Sequence, residues 1–314
     1  MGWEELLDPP WHLLDPEACR APQREETDRQ GVGVGPGPGR PRFEIGYYAS
    51  FGCPVACTFC CSPQVSGLRW KAMPAGRMLD DLAALQERWG FDGVRFYDAN
   101  FGVSERRVRE FAEGVLSRGT RIDRFAHVQT DSILRWKPET LDLAVASGLY
   151  GCVVGGESGS AATLEGIGKP AREDGNLRAV TELDRRGIPA LVTYMIGLPG
   201  EDETSIRATL EEARRITLAC PLARPEVWPF RPIPGTSDFR RAVDSGWRPP
   251  ATVEEWGLAG DYWNDEAWPG RIPPDVARER ALFMHHSSLS QGRVRGRTGF
   301  WERRARAPVG RILP

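Results

Sequence analysis

The sequence lacks any long apolar run. Nothing in its 314 residues approaches the roughly 20 consecutive apolar residues of a membrane span, and the acidic, proline-containing N-terminus has no signal-peptide core. No membrane association is expected, and the location expected is cytoplasmic. An excess of charge of one sign is lacking too. The 41 Lys and Arg against 43 Asp and Glu leave a formal net charge of -2, so overall charge gives no argument for a nucleic-acid partner. Histidine is scarce, at four residues. The seven cysteines are an odd number and fit a reducing compartment better than a disulfide framework. At 40% hydrophobic and 27% charged residues, the composition is that of an ordinary soluble protein with one large domain or two small ones.

Three of the cysteines lie in Gly52-Cys53-Pro54-Val55-Ala56-Cys57-Thr58-Phe59-Cys60, a C-x3-C-x2-C run. Three thiolates can hold three irons of a four-iron cluster and leave the fourth open to a small molecule, unlike the four-cysteine ligation of an electron-transfer cluster. Taken alone, Cys57-x2-Cys60 also fits a thioredoxin-like redox pair or half of a zinc knuckle. A zinc site needs a second ligand pair, and the chain offers only Cys19, Cys61, Cys152, Cys220 and four scattered histidines. Cys61, next to Cys60, is badly placed to chelate the same ion.

Residues 1–40 read as an N-terminal extension, with a short packed element at Trp11–Leu14 and a low-complexity linker over Gly31–Gly39. That glycine run is not a phosphate loop, because Pro36 and Pro38 block the helix such a loop must open. From Phe43 onward strands and helices alternate. Strands are expected at 43–50, 93–98, 124–129, 151–155, 190–196 and 226–231, with helices at 73–89, 104–117, 138–147, 173–186 and 203–217. A sixth helix after the last strand is the faintest. Such alternation predicts a parallel sheet with helical crossovers and functional residues at the carboxyl ends of the strands. The fold class expected is α/β, a partial (β/α)6 TIM-like barrel over residues 41–245. A C-terminal helical extension is expected over 246–314. It carries Trp247, Trp256, Trp263 and Trp268, which read as packing or a cover, and a basic tail with Arg293, Arg295, Arg297, Arg303, Arg304, Arg306 and Arg311. The tail reads as solvated, with an RNA contact as the alternative.

The cysteine spacing, with aromatic Phe59 before the last cysteine, resembles the signature of the radical S-adenosyl-L-methionine (radical SAM) superfamily. The resemblance implies the barrel just described and a 4Fe-4S cluster on Cys53, Cys57 and Cys60. The open iron would chelate the methionine moiety of S-adenosyl-L-methionine (SAM), and one electron from the reduced cluster would break the C5'-S bond to give a 5'-deoxyadenosyl radical. Phe59 is carried over as a cofactor-side residue.

Four further segments, each at an expected strand end, strengthen the resemblance. Tyr97-Asp98-Ala99-Asn100-Phe101 places a carboxylate where the family accepts the amino group of SAM; a turn or N-cap aspartate is the alternative reading of Asp98. Gly155-Gly156-Glu157-Ser158-Gly159 resembles a Gly-x-Glu-Ser-Gly segment whose carboxylate meets the ribose or the methionine group. Gly156 would let a ligand approach, and Glu157 and Ser158 would offer hydrogen bonds. Lys169 matches a lysine of the same subgroup, or is a surface side chain. Gly197-Leu198-Pro199-Gly200-Glu201 resembles a turn flanking the adenine, and the segment from Phe230 and Arg231 to Thr236 matches another of the subgroup. His127, Gln129 and Asp131, at alternate positions of the third strand and its exit, are candidate catalytic residues on one face, with a buried structural histidine as the alternative.

The nearest likeness is to the subgroup that carries an N-terminal cobalamin domain, and Pro9-Pro10-Trp11-His12-Leu13-Leu14-Asp15 resembles that subgroup's interdomain linker. Forty residues cannot form such a domain and no Asp-x-His-x-x-Gly motif is present, so cobalamin is not expected within this chain. The expected function is a radical SAM enzyme that abstracts hydrogen from a small-molecule substrate, leading to oxidation, elimination or rearrangement in natural product biosynthesis. The alternatives are a methyltransferase with cobalamin from a separate protein, and a non-catalytic iron-sulfur sensor or scaffold. A flavodoxin- or ferredoxin-type electron donor is implied as partner.

Overall fold

A computed structural model describes residues 11–20, 43–120, 122–170, 172, 174–259 and 272–293. The Gly31–Gly39 linker, Trp263, Trp268 and the arginines from Arg295 onward lie outside the described residues. The strands of the main sheet are β1 (Glu44–Tyr47), β4 (Gly93–Phe96), β5 (Asp123–Gln129), β6 (Leu149–Glu157), β7 (Ala190–Ile196) and β8 (Ala223–Pro229), in the order β1-β4-β5-β6-β7-β8. β2 (Ser50–Phe51) and β3 (Lys71–Ala72) form a separate antiparallel ribbon. The pairs β1/β4, β4/β5 and β5/β6 are parallel, so helices must carry the chain back between them.

The chain divides into two compact units. The first takes the described residues up to Ala56, then Ser62–Gly155 and Glu182–Ala190; the second takes Cys57–Cys61, Gly156–Thr181 and the chain from Leu191.

In the first unit the helix Ala75–Trp89 buries Ala75, Met78, Leu79, Leu82, Leu85 and Trp89, the three-to-four spacing of one helical face, and stops at Gly90 in the left-handed conformation. The helix Glu105–Ser117 starts on Ser104, whose hydroxyl accepts the Arg107 amide at 3.3 Å. The two helices meet closely at Gly114, where a Cβ would lie 2.2 Å from Leu79 Cδ1. Trp11–Leu13 form a 3-10 turn, and the Trp11 ring meets Trp89 edge-on at 5.7 Å.

The strand expected over 43–50 is broken. β1 ends at Tyr47, and the amide of Ala49 turns to Asp98 Oδ2 at 3.1 Å, after which Ser50 and Phe51 pair with β3. Two short helices absent from the expected alternation are present, Thr130–Arg135 directly after β5 and Ala161–Gly166 after β6.

In the second unit β7 and β8 bury every other residue, and the helix Glu203–Ala219 starts on Asp202, which accepts the Ser205 amide at 2.8 Å. A core cluster of Ile167, Leu198, Phe230 and Ala242 takes Phe59, Leu164, Met195 and Trp247 against it. Trp247 also meets Phe239 and Trp256 at 5.6 and 6.4 Å. No helix among the described residues is long and apolar enough to cross a membrane.

Candidate functional site

In the first unit the cysteine run leaves β2 at Cys53, whose side chain is buried and free of any disulfide. The Gln129 amide nitrogen, on the last residue of β5, donates to Cys53 Sγ at 3.7 Å. Two residues earlier, His127 lies half-buried. Burial, and secondarily the charge of Arg95, hold its imidazole below the usual pKa, which favours the neutral ring at neutral pH. Asp131 does not share this face. β5 ends at Gln129, Asp131 falls in the helix Thr130–Arg135, and its carboxylate pairs with Arg135 at 2.7 Å.

Asp98 has a different employment from the expected one. It is 0% exposed, and its carboxylate accepts the Ala49 amide and the Ser50 hydroxyl, with the Arg107 guanidinium 3.6 Å away. Burial pushes this carboxyl up, against the lowering pull of those three partners. Arg107 also donates to the Ala49 carbonyl at 3.0 Å. Asp98 and Arg107 thus anchor the backbone three to four residues before Cys53, and no oxygen of Asp98 is left facing solvent. Arg107 gave no signal in the sequence, because a charged residue on a helix face reads as solvated.

In the second unit, Cys57 is buried and Cys60 half-buried, joined by a turn in which the Cys60 amide donates to the Cys57 carbonyl at 3.3 Å. Thr58, inside that turn, donates its amide to the Ile167 carbonyl at 3.0 Å and its hydroxyl to Asp238 Oδ2 at 2.6 Å, while the Asp238 amide returns to the Thr58 carbonyl. Phe59 packs on the core cluster that includes Leu198.

Glu157 and Lys169 form an ion pair at 2.9 Å, with side chains 13% and 8% exposed. Glu157 has φ of +63°, left-handed backbone for a residue with a Cβ. Its neighbours serve packing. A Cβ on Gly156 would lie 3.1 Å from the Tyr194 ring, and one on Gly159 would lie 2.5 Å from the Ala208 carbonyl oxygen. The Ser158 hydroxyl, expected to face a ligand, is buried and bonded to Thr209 Oγ1 at 2.9 Å. Asn176 holds the segment from behind through the Gly156 and Ser158 carbonyls and Glu212, and Tyr194 donates to that same carboxylate at 3.0 Å. The sequence gave no sign of this Asn176, Glu212 and Tyr194 network, whose members come from three separate elements.

The turn after β7 closes on itself. The amides of Gly197 and Leu198 both donate to Glu201 Oε2, at 2.7 and 3.2 Å. Burial nonetheless lifts the Glu201 carboxyl to about 7. Arg231 is half-buried, with Nη1 3.4 Å from the Phe230 carbonyl.

A family model described as the radical SAM superfamily matches residues 47–213. The chain belongs to the radical SAM superfamily. Radical SAM proteins use a 4Fe-4S cluster and SAM, and those are this chain's cofactors. The bacteriochlorophyllide d C-12(1)-methyltransferase of Chlorobaculum tepidum is 29% identical over 203 residues, covering 64% of this chain and 43% of its own. An uncharacterized methyltransferase of Pyrococcus horikoshii is 26% identical over 188 residues, 58% of this chain and 40% of the relative. The chain thus spans about two-fifths of the curated relatives it matches. Among solved structures, the radical SAM methyltransferase TsrM of Kitasatospora setae, with cobalamin and a [4Fe-4S] cluster bound, has a TM-score of 0.54 at 19% identity over 64% of this chain and 36% of its own. Coproporphyrinogen III oxidase of Escherichia coli reaches 0.52 at 13% identity over 78% of this chain and 52% of its own. These likenesses show the α/β fold of radical SAM proteins.

Proposed function

We propose that Cys53, Cys57 and Cys60 hold the 4Fe-4S cluster and that the chain catalyses reductive cleavage of SAM to act on a small-molecule substrate. The observation that carries this reading is the state of the cysteine run inside the family match. None of its sulfurs is in a disulfide, Cys53 and Cys57 are buried, and Cys53 Sγ already receives an N–H donor from Gln129. Thiolates at C-x3-C-x2-C spacing with a preplaced donor suit an iron-sulfur cluster. Bound together, cluster and SAM supply one-electron cleavage of the C5'-S bond to a 5'-deoxyadenosyl radical that abstracts substrate hydrogen.

The chain's own residues bind, orient and hold. Glu157, fixed by Lys169, offers a carboxylate to the ribose or the methionine group of SAM. Gly197 and Leu198 form the turn assigned to the adenine, Phe59 packs on the core cluster that includes Leu198, and Arg231 serves as a cofactor-side cation. Asp98 and Arg107 position the start of the cysteine loop, while Gly156 and Ser158 position Glu157. Gln129 donates to Cys53 Sγ, and His127, two residues earlier on the same strand, is the candidate substrate-side group. A low-potential donor of the flavodoxin or ferredoxin type supplies the electron.

Two outcomes follow hydrogen abstraction in this reading. The leading one is oxidation, elimination or rearrangement of the substrate. The second is methyl transfer with cobalamin from another chain, favoured by the methyltransferase names of the relatives and of TsrM. Product analysis after anaerobic turnover separates them: 5'-deoxyadenosine without S-adenosylhomocysteine supports the first. S-adenosylhomocysteine that appears only when cobalamin is added supports the second and overturns the first.

A further inference from the structure

Glu157, the residue proposed to meet SAM, sits in a turn that the chain must be held in. The Ser158 amide donates to the Gly156 carbonyl, two residues back, at 2.8 Å, and Glu157 between them has φ of +63°. An i to i+2 hydrogen bond around a residue of positive φ makes the rare, strained form of the γ-turn. For a residue with a Cβ, such backbone persists only where its surroundings fix it.

One side chain grips both ends of that turn. The Asn176 amide nitrogen donates to the Gly156 carbonyl at 3.3 Å and to the Ser158 carbonyl at 3.2 Å, and so brackets Glu157 from before and after. The same nitrogen donates to Glu212 Oε2 at 2.8 Å, an oxygen that also accepts the Tyr194 hydroxyl at 3.0 Å. Asn176 is only 5% exposed, and three acceptors, one of them a carboxylate, keep its nitrogen toward the turn. The helix Gly175–Asp184 that carries Asn176 is registered on the helix Glu203–Ala219 that carries Glu212. Arg215, three residues after Glu212, pairs with Asp174 at 2.9 Å, just before that first helix begins. Thr209, three residues before Glu212, holds the exit of the turn through the Ser158 hydroxyl at 2.9 Å and the Gly159 amide at 3.0 Å.

We propose that Asn176, backed by Glu212, is a positioning residue for SAM: it holds the turn at Glu157 so that the Glu157 carboxylate is presented to the cofactor. The role toward SAM rests on the reading above in which Glu157 meets SAM; the grip on the turn is read from the hydrogen bonds. Asn176 acts through the backbone of residues 156 and 158, and its buried hydrogen bonds are set against the strain at Glu157. Loss of the grip lets the turn relax toward ordinary backbone, which carries the carboxylate away from the cofactor.

The test uses the cluster-loaded protein kept oxidised, with SAM as titrant in an anaerobic calorimeter, so that affinity is read without cleavage. Asn176→Ala, and Asn176→Asp, which keeps the size and exchanges the donor for acceptors, are each expected to weaken SAM binding about tenfold, the size of one impaired hydrogen bond to a charged group. Glu212→Leu should weaken it as well. Glu212→Gln, which keeps an acceptor for the Asn176 amide, should weaken it less than Glu212→Leu does. Iron per chain and melting temperature are measured on the same preparations, and affinity is taken for the loaded fraction. A purely structural role would lower those two and leave that affinity alone, so wild-type SAM affinity in either loaded Asn176 variant overturns the proposal. If neither Asn176 variant loads a cluster, equal or reversed affinities of the two Glu212 variants overturn it. Glu157→Gln is titrated beside them. Weak binding by Glu157→Gln with wild-type binding by the Asn176 variants overturns the positioning role alone, whereas wild-type binding by Glu157→Gln overturns the reading of Glu157 as a SAM ligand and the positioning role with it.

Discussion

The carboxylate of Glu157 lies 2.9 Å from the ammonium of Lys169, on a backbone with φ of +63°. Both side chains are largely withdrawn from solvent, so removing Lys169 takes this counter-charge away from the Glu157 carboxylate. Lys169→Met is expected to cost about 3 kcal/mol of stability, as for other broken buried pairs. Thermal melting measures it, and an unchanged melting temperature would contradict the pairing.

Glu157→Gly separates strain from function. Left-handed backbone costs a residue with a Cβ about 1 kcal/mol, which glycine does not incur. That relief partly offsets the lost ion pair with Lys169, so Glu157→Gly should melt higher than Glu157→Ala by a few degrees while both lose SAM affinity in a calorimetric titration. If Glu157→Gly keeps wild-type SAM affinity, the carboxylate is not a ligand to the cofactor.

Glu201 gives a pH dependence with a definite sign. Its folded pKa of about 7 lies above the ordinary 4.5, so the folded state holds a proton that the unfolded chain has released. Its contribution is therefore present below about pH 4.5 and is lost as pH rises through about 7, on the order of 3 kcal/mol at most. Glu201→Gln, neutral at every pH, should flatten the stability slope in that window in denaturant titrations at several pH values.

Asp98 is assigned to positioning. Asp98→Asn removes charge from the Ala49, Ser50 and Arg107 site without changing its size, and is expected to lower stability by about 2 kcal/mol. Iron bound per chain after reconstitution should fall with it, whereas SAM affinity of the fraction that does load should hold. Loss of SAM affinity in fully loaded protein would restore Asp98 as a direct ligand.

Gln129 is expected to tune the cluster. Hydrogen bonds to ligating sulfurs help set the reduction potential, and donors stabilise the more negative, reduced state. Gln129→Leu should lower the potential in a spectroscopic redox titration; an unchanged potential would mean that the 3.7 Å contact to Cys53 Sγ has no electronic role.

How much of this was legible in the sequence follows the range of the interactions. β4 through β8 showed as apolar alternation between glycine and proline turns, and the cysteine run and the glutamate-bearing strand ends showed as local patterns. The break after Tyr47 did not, because it is made by Asp98, 49 residues from the Ala49 amide it accepts. Asp131 was misplaced because period-two reasoning carried past the end of β5 into a six-residue helix. Ser158 and Gly156 looked like ligand contacts since a serine beside glycines reads the same whether it faces a cofactor or Thr209 and Tyr194.

The central claim is that Cys53, Cys57 and Cys60 hold a cluster that cleaves SAM. Its most direct test is anaerobic reconstitution of wild type and Cys57→Ala, followed by reduction with SAM and quantification of iron and 5'-deoxyadenosine. The account predicts a 4Fe-4S cluster and 5'-deoxyadenosine from wild type, and neither from Cys57→Ala. Formation of 5'-deoxyadenosine by Cys57→Ala at the wild-type rate, or none from fully loaded wild type, would contradict it.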